Sequence, residues 1–273
     1  MNLLEAVGLG IVEGLTEFLP VSSTGHLTIT EKLMGLDIDS DAITGFTAVV
    51  QIGAIAAVLL YFREDIIRLL RAGLAGVRDE GARHEADWRL FVAVIVGSIP
   101  VGLIGFAARD LITGDLRSLW VVGVALIGWS AVMIYAERTG TQSRGEAKMT
   151  MIDALVMGSV QCFALIPGVS RSAATISAGL IQGLDRVAAT RMAFFLGIPS
   201  LVAAGLYELK DVQGIGVGPT VVGTLVSFVV AYASVAWLLR FVAHHSIVAF
   251  IPYRVGLGLL LLALLATGVM SAT

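Results

Sequence analysis

Apolar runs of about twenty residues, separated by short polar breaks, account for most of this chain. Crossing a bilayer as a helix takes about 20 predominantly apolar residues. Six runs meet that length, approximately Ile43 to Phe62, Leu90 to Ala108, Leu119 to Ala136, Ala189 to Tyr207, Pro219 to Leu239 and Ile251 to Val269. Two further apolar regions are too short and too interrupted to cross. They are Leu3 to Leu36, broken at Pro20, and Met151 to Leu184, broken at Pro167 and Gly168. Proline cannot continue a helix and pushes the preceding residue toward extended geometry. Each region therefore predicts a re-entrant pair, two half-helices joined by a loop buried in protein, where broken backbone is tolerated at membrane depth.

The two broken regions resemble each other. A shift of 148 positions sets Gly10 on Gly158, Val12 on Val160, Val21 on Val169 and Ser22 on Ser170. It also sets Gly35, Leu36 and Asp37 on Gly183, Leu184 and Asp185, and Glu13 on Gln161. Three spanning runs separate the copies, so the second lies upside down relative to the first. The expectation is an all-α integral membrane protein forming a single domain over residues 1–273, with six spanning helices and two re-entrant hairpins. It has an inverted-topology repeat, the first copy about 1–136 and the second about 149–273.

Composition agrees with this pattern. Of 273 residues, 57% are hydrophobic and 14% charged, against roughly 25% charged in soluble domains, and the mean hydropathy is +0.89. The net charge of −3 implies no nucleic-acid partner. A single cysteine, Cys162, excludes an intrachain disulfide and a cysteine-rich metal site. No basic segment precedes the first apolar run, so Met1 is read as the start of the mature chain.

Lys and Arg concentrate on the cytoplasmic side of a membrane protein. One face collects Arg63, Arg68, Arg71, Arg78, Arg83, Arg89, Arg138, Arg144, Lys148, Arg186, Arg191 and Arg240, the other Lys32, Arg109, Arg117 and Lys210. This places the N-terminus outside, with the first hairpin entering from the extracytoplasmic side and the second from the cytoplasm. The stretch Arg63 to Arg89 reads as a solvated cytoplasmic loop with room for a short amphipathic helix.

Ionisable groups inside a bilayer are costly and mark sites. Glu13 to His26 reads EGLTEFLPVSSTGH, and the second break reads PGVSRSAATI. If the two breaks meet, Arg171 arrives beside Ser22, Ser23, Thr24 and His26, and its fork suits phosphate. Hydroxyls after a break also cap helices, so half-helices are expected to start near Ser22 to Thr24 and Ser170 to Ser172. Two such starts facing each other make an anion site; capping alone is the plainer alternative. Glu13 and Glu17, four residues apart on one helix face, beside an anion suggest a bridging Mg²⁺ or Ca²⁺, or a protonated general acid, or an idle interfacial pair. His26, three residues after Ser23, has suitable spacing for a base activating that hydroxyl. His244 and His245 read as solvated, Arg254 as either snorkelling or reaching the site, and Gln51 in VVQIGA as helix–helix glue.

VEGLTEFLPVSSTGH together with QCFALIPGVSRSAATI resembles the two signature motifs of the undecaprenyl pyrophosphate phosphatase, or bacitracin-resistance, family, and the resemblance extends to VVQIGA and IPYRVGLG. It implies a bacterial plasma-membrane enzyme removing the terminal phosphate of a C55 polyprenyl diphosphate to recycle the cell-wall lipid carrier. It further implies a site open to the extracytoplasmic side, an inverted-repeat fold, a homodimer and divalent-cation dependence. Carried over by position, the acidic motif falls on Glu13 and Glu17, the serine and histidine on Ser23 and His26, and the arginine on Arg171 flanked by Ser170 and Thr175; Ser22, Thr24 and Ser172 join these in the set expected to bind the phosphate. Two departures are Ala173, where glycine is frequent in the family, and Thr47, where an acidic residue is. The alternative from another class is a transporter or lipid flippase with a midplane anion site.

Overall fold

The computed structural model describes residues 1–38, 40–108, 116, 118–208 and 216–272, which leaves the expected outer-face residues Arg109, Arg117 and Lys210 outside the described residues. The chain is helical, with no sheet among the described residues. Helices α1 (Leu3–Thr16) and α2 (Ser23–Leu33) flank the first break. They are followed by α3 (Asp41–Tyr61), α4 (Arg63–Arg78), α5 (Ala86–Ala107) and α6 (Leu119–Thr139). Helices α7 (Met151–Gln161) and α8 (Arg171–Ile181) flank the second break, followed by α9 (Arg186–Glu208), α10 (Val217–His244) and α11 (Ile251–Ala266).

Among the described residues, six helices are long and apolar enough to cross a membrane, Ala42–Tyr61, Ala86–Ala107, Leu119–Thr139, Arg186–Gly205, Val217–His244 and Ile247–Ala266. Each coincides with an expected run to within a few residues, and the protein is a multi-pass membrane protein. The four helices beside the breaks have 14, 11, 11 and 11 residues. At about 1.5 Å per residue, none of them reaches across about 30 Å of hydrocarbon.

Close crossings position the short helices. A Cβ on Gly158 would lie 1.7 Å from the carbonyl oxygen of Gly97, which seats α7 on α5, and one on Gly10 would lie 2.5 Å from that of Gly223, which seats α1 on α10. Gly10 and Gly158 are the pair matched by the 148-residue shift, and each lets backbone meet backbone.

Ion pairs tie one end of the bundle together. Arg68 bonds Asp65 and Asp87, Arg186 bonds Glu137, Arg144 bonds Asp153, and Arg191 bonds Glu146 and Asp65. At the other end Lys32 donates to the Ser271 carbonyl at 2.8 Å, and the Leu119 amide donates to Ala272 at 3.0 Å. The stretch after Arg63 fills the room expected for an amphipathic helix. It forms the 16-residue α4, whose Gly73 and Gly76 receive the rings of Phe91 and Trp88 on α5.

Candidate active site

Both breaks end in the same backbone device. Ser22 and Ser170, matched by the 148-residue shift, have φ of 77° and 75°. A non-glycine residue in this left-handed region costs about 1–3 kcal/mol and persists where its surroundings hold it. Here the positive φ turns the chain sharply into the first turns of α2 and α8. Ser170 also caps its helix, accepting from the Ala173 amide at 3.3 Å. Ser22 makes no such cap; its hydroxyl oxygen instead accepts from the Gly168 amide of the other break, at 3.0 Å.

The two breaks therefore meet. Ser172 donates to the Leu19 carbonyl at 2.9 Å, and Ser170 does so at 3.4 Å. Arg254, fully buried on α11, spans both loops. Its guanidinium donates to Pro20 at 2.8 Å, to Gly168 at 3.0 Å, to Val169 at 3.2 Å and to the Ser130 hydroxyl at 3.2 Å. Of the two places the sequence left open for it, Arg254 takes the inner one, as a strut between the loops.

At the junction, Arg171 donates to Glu17 Oε1 at 2.9 Å and to the Gly197 carbonyl at 3.1 Å. The other oxygen of Glu17 accepts a short hydrogen bond from the Ser23 hydroxyl. Glu17 is 7% exposed and Glu13, one turn earlier, 1%. A cavity of about 230 Å³ opens over this set. Its polar wall is Glu17, Ser22, Ser23, Thr24, Ser170 and Arg171, joined by Gln51, Gln161 and Ser200, and its apolar wall includes Val101, Leu165, Leu201 and Ala204.

Some expected pairings are placed differently. His26 does not pair with Ser23. Its Nδ1 lies 2.6 Å from the Ser22 carbonyl and its Nε2 2.6 Å from the Tyr253 hydroxyl, with the two rings stacked. The helix start turns Ser23 toward Glu17, whereas His26 follows the opposite edge of α2 toward α11. Ser172 and Thr175 do not line the cavity; Ser172 donates to the Leu19 carbonyl and Thr175 to the Arg171 carbonyl at 2.8 Å. Gln51, read as glue between helices, lines the cavity. Thr47 bonds carbonyls of its own helix, which accounts for a threonine there without any part in the site. Tyr253 and Ser200 carried no signal in the sequence, since each acts through a residue far away in the chain. Gln161 did carry one, its alignment with Glu13.

The donor set does not make a closed metal site. Both oxygens of Glu17 are engaged, and among the described residues no group of three or more His, Cys, Asp or Glu is placed to hold a metal ion. What the arrangement does offer is a serine hydroxyl touching a carboxylate, an arginine and two helix starts around one small cavity. Those are the parts that phosphoryl transfer requires.

Comparison with known proteins agrees with this chemistry. The family model described as bacitracin resistance protein BacA matches residues 6–260. The chain is 59% identical over its whole length to all of undecaprenyl-diphosphatase 3 of Frankia casuarinae. It is 57% identical, over 99% of both chains, to undecaprenyl-diphosphatase 1 of Streptomyces avermitilis, and 53% identical, over all of both chains, to undecaprenyl-diphosphatase of Acidothermus cellulolyticus. A match of this extent means that the chain belongs to the bacitracin resistance protein BacA family.

Proposed function

We propose that this protein is a membrane phosphatase that hydrolyses undecaprenyl diphosphate to undecaprenyl phosphate and inorganic phosphate. The observation that carries the reading is the Ser23–Glu17–Arg171 constellation at the junction of the two breaks. Relatives at 53–59% identity carry the name of that activity.

In this reading the diphosphate enters the cavity with its oxygens on Arg171 and on the first turns of α2 and α8. Glu17 takes the proton of Ser23, whose Oγ attacks the terminal phosphorus in line and expels polyprenyl phosphate. Glu17 returns the proton to the departing oxygen, and water then releases phosphate from the serine. Charge stabilisation and positioning carry most of the rate. His26 acts as a positioning residue, holding the Ser22 carbonyl at the strained turn. The isoprenoid leaves along the apolar wall formed by Val101, Leu165, Leu201 and Ala204. A divalent cation bound here would be held by the carboxylates of Glu13 and Glu17, the latter released when Arg171 turns to the diphosphate, and would help to neutralise the phosphate charge; no step is assigned to it.

Orientation belongs to the same proposal. The ion-paired, arginine-rich end is cytoplasmic, the two hairpins are re-entrant halves of an inverted repeat, and the cavity serves the extracytoplasmic side of the plasma membrane. The paired Ser22 and Ser170 turns and the paired Gly10 and Gly158 crossings support the repeat.

The experiment is phosphate release from a short-chain isoprenyl diphosphate by purified protein, with Ser23→Ala as control. Release that disappears in the variant is expected. Binding of the diphosphate without release in the native chain would favour a transporter instead.

A further inference from the structure

Gln161 is the last residue of α7 and none of it reaches bulk solvent, yet its side chain forms part of the cavity wall. Its neighbour fixes how the amide points. Ser200 has one hydroxyl proton, which it donates to the Gly197 carbonyl at 2.9 Å. Toward Gln161 it can therefore only accept, and the amide atom 3.4 Å from it is the NH₂ nitrogen. That turns the amide oxygen the other way, where it accepts no hydrogen bond among the described residues. Buried acceptors are almost always satisfied, so this one calls for a donor that the described residues do not supply.

The chemistry of the cavity identifies the donor. Phosphoryl oxygens are themselves acceptors and already have Arg171 and two helix starts to meet them. The species with protons to give is water. The Gly197 carbonyl that orients Ser200, and through it Gln161, also receives Arg171, so amide and guanidinium are set by one backbone oxygen.

We propose that the amide oxygen of Gln161 holds the water that hydrolyses the phosphoserine formed at Ser23, an inference that rests on the function proposed above. The water oxygen bonds to phosphorus as the bond from phosphorus to Ser23 Oγ breaks. One water proton passes to Glu17 and from it to Oγ, restoring the hydroxyl; the other stays on the phosphate that leaves. Gln161 thus belongs to the second half of turnover and leaves the first alone.

The test uses full-length protein in detergent and an isoprenyl diphosphate labelled on its terminal phosphate, quenched in acid on the millisecond scale. In Gln161→Leu the first burst of isoprenyl phosphate keeps its rate, phosphate release slows by about a hundredfold, the loss expected when a reacting group is misplaced, and labelled protein accumulates. Ser200→Ala, which frees the amide to rotate, shifts the balance the same way by a smaller factor and carries the test if the first variant does not fold. Both steps slowing together, or unchanged phosphate release, would overturn the role of Gln161. Full activity in Ser23→Ala, with no label on the native enzyme, would instead overturn the covalent route itself.

Discussion

Arg254 and Pro20 are 234 residues apart in sequence, and the guanidinium of one lies 2.8 Å from the carbonyl oxygen of the other. The same group holds Gly168 and Val169, so one buried cation satisfies the carbonyls of both broken loops. Removing it leaves those oxygens buried without a donor, and each buried acceptor left unsatisfied costs about 1–3 kcal/mol. Arg254→Ala is expected to lower thermal stability in detergent sharply and to abolish turnover. Arg254→Lys, which keeps the charge but loses the planar fork, should retain an intermediate melting temperature and a small residual rate. A fully stable, fully active alanine variant would remove the strut from the account.

Much of this fold is legible in sequence because the bilayer sets a length rule, so counting apolar residues finds the six spans. The positions of both half-helix starts follow from Pro20, Pro167 and the serines after them. What the sequence does not show is which side chains share a partner across hundreds of residues. His26 sits at a good helical spacing from Ser23, yet Tyr253 captures its ring from α11, and Glu17, six residues before Ser23, receives the hydroxyl. Spacing along one helix could not anticipate either, because the break at Pro20 folds Glu17 back over the start of α2. The stretch after Arg63 is legible in part: its charges leave room for an amphipathic helix, but nothing in them says that its glycines receive the aromatic rings of α5.

His26 offers a sharp test of that difference. The Ser22 carbonyl can only accept, so Nδ1 of His26 carries the proton, and the neutral ring accepts from the Tyr253 hydroxyl at Nε2. Both nitrogens are then engaged, and the ring serves to hold Ser22. His26→Ala and Tyr253→Phe should each lower kcat by about tenfold with KM little changed, and the double variant should be no slower than the worse single one. A base would behave otherwise. If His26→Ala alone costs about 10²–10⁴ in kcat and Tyr253→Phe costs nothing, the imidazole is taking a proton.

Gly158 tests the packing that carries the second break. A methyl there would sit 1.7 Å from the Gly97 carbonyl oxygen, and backbone cannot move aside as a flexible side chain can. Overpacking of this kind typically costs about 1–3 kcal/mol and occasionally more. Gly158→Ala is expected at or above the top of that range, read as a lowered melting temperature together with slower phosphate release, because α7 carries Gln161 to the cavity. Gly102→Ala, where nothing lies within 4 Å, is the control and should change neither.

Glu17 and Arg171 form a part-buried pair in which each partner has a second task, and this separates stability from chemistry. Arg171→Ala strands the carboxylate of Glu17, which is 7% exposed, so the variant should lose both substrate affinity and stability. Glu17→Gln keeps the shape and a hydrogen-bonding oxygen but no longer accepts a proton from Ser23. It should remain folded, bind the diphosphate at least as well, and turn over about 10²–10⁴ more slowly. Combining the two removes the stranded charge, and the double variant is expected to melt above Arg171→Ala alone, as when both members of a buried ion pair are replaced. Melting curves and phosphate-release rates for the four proteins of this cycle decide the matter. A double variant less stable than either single one would mean that Glu17 is not held by Arg171, and a brisk rate in Glu17→Gln would mean that Ser23 gives up its proton elsewhere.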